Sequence, residues 1–129
     1  MLPLRFAPFW AAIGWLGVVL AFVLSLWPGG VPLGLHFWYK AHHVIGYFVL
    51  ALWWLGLYPR ARYPLVGVGC LALGIVIEGL QGLTATRSAE FDDILINGAS
   101  IATALLVAYL GLGGWAVNLE RLLGLRARP

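Results

Sequence analysis

The chain has 129 residues, of which 62% are hydrophobic and only 10% are charged, and its mean hydropathy is +0.92. A chain this apolar and this short cannot hide its side chains in a water-soluble core, so the composition excludes an ordinary soluble domain and indicates an integral membrane protein. The formal net charge of +3 comes without a basic run or a nucleic-acid-binding motif, which argues against nucleic acid as a partner.

Four apolar segments follow one another along the chain, at about residues 9–27, 41–58, 65–83 and 94–115. Each can cross a hydrocarbon core of roughly 30 Å at about 1.5 Å per residue, and none alternates as a barrel strand does. We therefore predict helices, and the short links between them predict antiparallel neighbours. The expected fold is all-α, a single domain forming a compact bundle of four transmembrane helices.

The two ends of the chain carry weaker signals. No small-residue cleavage pattern follows the first apolar segment, so we expect that segment to be retained as a span. The tail places Leu119, Leu122 and Leu123 together among charged residues. This pattern fits a short helix at about residues 118–126 lying on the inner membrane surface, or a frayed tail. Cys70, inside an apolar run, is expected to be a small core residue.

The basic residues predict an orientation. Six of the eight lie on the side of the bundle that carries both termini, and two lie on the other side. The first group is Arg5, Arg60, Arg62, Arg121, Arg126 and Arg128, and the second is Lys40 and Arg87. By the positive-inside rule, both termini are expected in the cytoplasm.

One stretch, residues 77–98, holds four of the five acidic residues of the chain. Its charged and amide side chains are Glu78, Gln81, Arg87, Glu90, Asp92, Asp93 and Asn97. Because the stretch joins the ends of two apolar segments, and acids are costly at the edge of hydrocarbon, it indicates a site. The predicted orientation places it at the outer side of the membrane.

Helical spacing predicts which polar side chains share a face. Lys40, His43 and Tyr47 are spaced i, i+3, i+7, and so are Glu90, Asp93 and Asn97. Glu78 and Gln81, at i and i+3, share a face at the end of the third segment. These faces lie at one membrane depth, so we expect them to meet inside the outer half of the bundle. Lys40 and Arg87 would then supply positive charge opposite the acids.

Several chemistries are open to this set. A satisfied polar network that fixes helix register needs no ligand. His43, Glu78, Glu90 and Asp93 are metal-ligand types, but no metal-binding motif is present, and we predict neither a metal nor another cofactor. Acid–base work by His43 and a carboxylate is compatible with the residues. Ser88 lies beside the acids, but no nucleophile motif surrounds it.

The ordered set resembles the VanZ-like family of small bacterial membrane proteins, named for a member of a glycopeptide-resistance cluster. The matching residues are Lys40, His43, Tyr47, Glu78, Gln81, Arg87, Glu90, Asp93 and Asn97, within about residues 35 to 110. The chain departs from the family pattern at Tyr39, at Ala85-Thr86 and at Ser100. The resemblance implies a multi-pass protein of the bacterial cytoplasmic membrane and no settled biochemical activity.

Two functional hypotheses follow. The first is a non-enzymatic envelope protein whose outward-facing polar pocket binds a membrane lipid, a cell-wall-related ligand or a partner helix. The second is a small intramembrane enzyme or transporter for a lipid-linked substrate, in which His43 and Glu78 handle protons. The absence of a recognisable catalytic motif favours the first, and the sequence does not specify an oligomeric state.

Overall fold

The computed structural model describes residues 1–27, 36–84 and 90–125, and every regular element within these ranges is a helix. The prediction of an all-α fold is therefore confirmed. The α-helices, in chain order, are α1 (Ala7–Ser25), α2 (His36–Leu57), α3 (Tyr63–Gln81), α4 (Phe91–Val107) and α5 (Trp115–Leu122). A 3₁₀ turn at Arg60–Arg62 leads directly into α3.

Among the described residues, three helical stretches are long and apolar enough to cross a membrane: Ala7–Ser25, Arg60–Gln81 and Phe91–Leu112. The 22-residue α2 is not among them, because Lys40, His42 and His43 lower the hydropathy of its first half. The predicted span at 41–58, the second in chain order, therefore stays a prediction. The helices begin two to five residues earlier than the predicted spans; in α1 and α3 a proline occupies the first turn, where its missing N–H costs no hydrogen bond.

The core of the bundle lies between α2, α3 and α4. α2 makes its most extensive contact with α4, and α3 packs against both. The buried apolar cluster consists of Tyr47, Ala51, Leu55, Tyr63, Cys70, Ile101, Ala104 and Ala108. Its alanines allow the helix backbones to approach closely, which drives helix association where the surroundings are as apolar as the protein. Cys70 is a free, buried thiol, at the core position expected from the sequence.

α1 lies at the edge of the bundle, and Gly14 is its one buried residue. A Cβ added to Gly14 would lie 2.7 Å from the ring of Trp54, so glycine is what lets α1 approach α2 at this point. The indole of Trp53 donates to the carbonyl of Trp10 across the same contact, at 3.1 Å. Most of α1 therefore faces outward, where apolar side chains suit hydrocarbon.

The predicted fourth span, 94–115, is interrupted. α4 ends at Val107 and continues as a wide π-type turn over Ala108–Leu112, in which Gly111 has φ 136°. Gly114 then adopts a left-handed conformation at φ 68° and begins α5. Glycine tolerates both conformations. The glycine-rich run therefore ends the helix, although its apolar character had extended the predicted span to residue 115. α5 accordingly begins at Trp115, three residues before the predicted tail helix.

Candidate functional site

Six of the nine sequence-predicted site residues are buried together at one end of the bundle, which we call the polar end. They form the polar cluster: His43 and Tyr47 of α2, Glu78 and Gln81 of α3, and Asp93 and Asn97 of α4. Asp93 is 0% exposed, Asn97 and Gln81 are 1% exposed, and Glu78 is 2% exposed. Polar groups buried this completely need hydrogen-bonding or charged partners, which either the chain or a ligand must supply.

His43 joins α2 to α4. Its Nδ1 lies 3.1 Å from Oδ1 of Asn97, and its Nε2 lies 3.6 Å from Oδ2 of Asp93. Asp93 and Asn97 are four residues apart on α4, so both face the ring. Tyr47, one turn along α2, stacks on His43 with ring centroids 6.2 Å apart and planes 13° apart. Both imidazole nitrogens therefore face oxygen atoms, which hold the ring in one orientation.

Glu78 caps a neighbouring helix. Its Oε1 accepts the backbone N–H of Glu90 at 2.5 Å, and Glu90 is the N-cap residue of α4, which has no cap from its own side chain. The first N–H groups of a helix lack intrahelical acceptors, and the helix dipole favours negative charge there. The Glu78 carboxylate, near the end of α3, is thus stabilised by the N-terminus of α4.

Gln81 links the polar cluster to α1. Its Nε2 donates to the carbonyl oxygen of Ser25 at 2.7 Å, and Ser25 is the last residue of α1. The C-terminal carbonyls of a helix have no intrahelical donors, so this bond satisfies one of them. The peripheral helix is therefore attached to the site itself.

Two of the predicted site residues, Lys40 and Glu90, do not join the polar cluster. Lys40 was expected opposite the buried acids, and this is wrong: its ammonium pairs with Asp92 at 3.9 Å, and the two side chains are 54% and 71% exposed. A long lysine side chain avoids the cost of burying its charge by reaching outward. The Glu90 side chain is also exposed, because this residue precedes the first turn of α4. Arg87 lies outside the described residues.

The polar cluster has more hydrogen-bonding capacity than the described chain uses. Four of its buried atoms have no hydrogen-bond partner within residues 1–27, 36–84 and 90–125: Tyr47 Oη, Glu78 Oε2, Gln81 Oε1 and Asn97 Nδ2. A buried polar atom left unsatisfied costs about 1–3 kcal/mol. Two of these atoms can only accept, the amide nitrogen can only donate, and the hydroxyl can do both. Among the described residues, no three His, Cys, Asp or Glu side chains are grouped so as to hold a metal ion.

A second buried carboxylate, missed by the sequence analysis, lies at the opposite end of the bundle. Glu120 of α5 is 4% exposed and accepts three hydrogen bonds, from the N–H of Arg5 at 2.7 Å, the N–H of Phe6 at 3.0 Å and the Trp10 indole at 2.8 Å. Burial by itself would raise the pKa of Glu120, but these bonds and the charge of Arg5 hold the pKa below its ordinary value. One feature of the sequence could have pointed to Glu120: it is the only acidic residue of the chain outside residues 77–98.

The Trp10 indole that donates to Glu120 belongs to a group of three neighbouring tryptophan rings. The Trp115 ring lies 5.6 Å from that of Trp10 and 4.9 Å from that of Trp53, edge to face in both cases. The Trp115 indole donates to the carbonyl of Leu52 at 3.0 Å. Trp10 and Trp115 therefore hold helices together.

Within the described residues the protein is all-helical, and three of its helical stretches are long and apolar enough to span a membrane, so the fold is that of a helical membrane protein. No family model, no curated protein and no solved structure matches the chain. The resemblance to the VanZ-like family therefore stays a prediction.

Proposed function

We propose that this chain is a VanZ-like protein of the bacterial cytoplasmic membrane whose polar cluster binds the headgroup of a lipid or of a lipid-linked, cell-wall-related ligand. The observation that supports this most is the set of four buried polar atoms without a partner in the described chain, all at the polar end. A purely structural network in an apolar environment would be expected to satisfy its members. Spare capacity in a closed polar cluster favours binding.

The proposal includes four spans with both termini in the cytoplasm. α2 supplies the fourth: at about 1.5 Å per residue its length is about 33 Å, enough to cross the hydrocarbon core. Its polar residues His43 and Tyr47 face the bundle interior, where they need not contact lipid. The six-to-two distribution of basic residues supports an outward-facing polar end.

The chemistry of the spare atoms restricts the headgroup. Glu78 Oε2 and Gln81 Oε1, near the end of α3, are acceptors. They call for a ligand group that donates, such as a hydroxyl or an ammonium. Sugar-bearing, glycerol-bearing and ethanolamine-bearing lipids all meet this requirement.

Proton transfer by His43 and Glu78 is the weaker proposal. Both nitrogens of His43 face oxygen atoms of α4, and Glu78 is engaged with the start of the same helix. A general acid or base needs its reacting atom within reach of the substrate. These contacts instead fix both groups between helices, which favours binding over catalysis.

The test is to measure which lipids copurify with the protein. In Glu78→Gln the amide oxygen can still accept from the N–H of Glu90, but an NH₂ group replaces the spare acceptor Oε2. Mass spectrometry of protein purified in mild detergent should find a specific lipid on the wild type and about tenfold less on Glu78→Gln, which corresponds to about 1.4 kcal/mol. Thr103→Val is the matched control, because the exposed Thr103 hydroxyl bonds only to Ala99 of its own helix. Equal lipid on all three proteins would contradict the proposal.

A further inference from the structure

Arg60 lies at the end of the bundle opposite the polar end, as the first residue of the membrane-crossing stretch Arg60–Gln81. Its Nη2 donates to the carbonyl oxygen of Tyr109 at 2.7 Å, and its guanidinium carbon lies 5.9 Å from the centre of the Tyr109 ring. The buried Tyr63 packs edge to face on the same ring, with centroids 5.1 Å apart. These contacts hold an exposed arginine between the start of α3 and the turn that follows α4.

The charge of Arg60 has no Asp or Glu partner. The structure describes all five acidic residues of the chain. Four belong to residues 77–98 at the polar end, and the fifth, Glu120, uses both oxygens at the start of α1. Among the described residues, no ion pair joins an acid to Arg60 or Arg62. Arginine has five N–H donors, and the bond to Tyr109 uses one. The others lie at the edge of the hydrocarbon, where an anionic group from outside can accept from them.

An apolar groove begins one turn away from this arginine. It lies between α3 and α4, has a volume of about 240 Å³, and is lined only by apolar residues within 64–71 and 98–105. The groove starts four residues after Arg60 on α3 and four residues before Tyr109 along the chain from α4. It therefore begins about 6 Å from the arginine along the helix axes and continues for about 10 Å.

Small residues keep this groove open. For a Cβ built on Gly98, the nearest atom of another helix would be Cδ1 of Leu71 at 4.0 Å, and Ala102 is exposed. Leu105 forms one wall, with its Cδ1 3.0 Å from a Cβ built on Gly67. Because α3 and α4 belong to stretches that are long and apolar enough to cross a membrane, the groove is surrounded by hydrocarbon.

We propose that Arg60 and the α3–α4 groove bind an anionic phospholipid, whose phosphate accepts hydrogen bonds from Arg60 and whose acyl chain lies in the groove. The cation at the membrane edge and the apolar groove deeper inside follow the order of headgroup and chain in a lipid. Arginine suits phosphate because its planar N–H groups can donate to two oxygens at once. This site lies at the other end of α3 and α4 from the polar cluster and does not depend on the proposed function.

Charge complementarity favours a lipid over a second copy of the chain as the occupant of the groove. A symmetric contact between two copies would bring two Arg60 side chains together, and like charges across an interface oppose association. An anionic lipid instead supplies the charge that the acids of the chain do not provide.

Arg60→Gln tests the headgroup contact, and Arg62→Gln is its matched control. Each removes one positive charge from the same exposed turn, but the contacts with Tyr109 belong to Arg60. Native mass spectrometry in mild detergent should show that the wild type binds dioleoyl phosphatidylglycerol more tightly than dioleoyl phosphatidylethanolamine. Arg60→Gln should weaken phosphatidylglycerol binding about tenfold and remove this preference, whereas Arg62→Gln should change it little. Equal losses in the two variants would indicate diffuse attraction to positive charge and would overturn the site.

Ala102→Leu tests the groove, and Ala99→Leu is its matched control. Both alanines are exposed on α4, but Ala102 lines the groove and Ala99 does not. Ala102→Leu should fill the groove and weaken phosphatidylglycerol binding about tenfold without lowering the melting temperature, while Ala99→Leu should bind as the wild type does. Glycerophosphoglycerol, which has the headgroup but no chains, should bind weakly. Equal binding by the two leucine variants, or full affinity for glycerophosphoglycerol, would contradict the proposal.

Two further outcomes would assign the lipid or the groove differently. Loss of the phosphatidylglycerol preference in Glu78→Gln, with none in Arg60→Gln, would place the lipid in the polar cluster and overturn this inference alone. A dimer of the wild type in detergent that Ala102→Leu dissociates would make a second copy the occupant of the groove, which would also overturn it.

Discussion

Each end of the bundle buries a glutamate side chain, and the hydrogen bonding of that side chain differs between the two ends. At each end a buried glutamate accepts a backbone N–H at or beside the start of another helix: Glu78 at α4 and Glu120 at α1. Glu120 accepts three hydrogen bonds through both of its oxygens, whereas Oε2 of Glu78 has no partner in the described part of the chain. The difference separates a carboxylate that uses both of its oxygens within the fold from one with an oxygen that the described chain leaves without a partner.

The largest loss of stability is expected at Glu120, because both of its carboxylate oxygens accept hydrogen bonds. Glu120→Ala leaves two backbone N–H groups and the Trp10 indole without their acceptor, so it should lower the free energy of unfolding by about 2–4 kcal/mol. Thermal unfolding in detergent measures this, with Leu122→Ala as the control because Leu122 is on the same helix and 84% exposed. A Glu120→Ala protein as stable as Leu122→Ala would show that the cap is not required.

The stabilisation by Glu120 should depend on pH. Because the folded-state pKa of Glu120 lies below the ordinary value of 4.5, its contribution is fully present above about pH 4.5 and is lost as the pH falls through the lower folded-state pKa. The melting temperature of wild type should therefore exceed that of Glu120→Gln at neutral pH, and the gap should narrow at acidic pH. A constant gap over this range would argue against a charge effect.

A smaller effect on stability is expected at the polar end. Glu78→Gln keeps an acceptor for the N–H of Glu90, so its cost should be about 1 kcal/mol or less, mainly from weaker interaction with the helix dipole. Lipid binding should fall much more than stability does. If the loss of stability matched that of Glu120→Ala, the two ends would be alike and the cluster would be a structural network.

The smallest effect concerns the exposed ion pair. Lys40→Ala should change the free energy of unfolding by less than about 0.5 kcal/mol, because exposed pairs are screened and their side chains lose entropy. The double-mutant cycle with Asp92→Ala in low and high salt measures their coupling. Coupling well above 1 kcal/mol would mean that Lys40 belongs to the site after all.

Helical spacing predicted much of the polar end. It placed His43, Tyr47, Asp93 and Asn97 on facing sides of two helices, and these four residues are buried together. Spacing fails for Lys40, since it locates a Cα on a face but does not fix where a long, flexible charged side chain ends. Burial cost decides that instead.

Features that depend on tertiary contact could not be predicted. The role of Glu120 depends on backbone N–H groups 114 and 115 residues away, and no local pattern marks such a pair. The end of α4 was missed for a different reason. Gly111 and Gly114 stand in an apolar run, so hydropathy extended the predicted span through them, although the positive φ that each adopts ends the helix.

The cap at Glu120 has a consequence for biogenesis. Translation releases α1 before the rest of the chain, yet the side chain that completes its first turn belongs to α5, more than a hundred positions later. Until α5 is made, the start of α1 must hydrogen-bond to water or to membrane headgroups. The hydrogen bonds at the start of α1 are thus completed only once α5 has been translated.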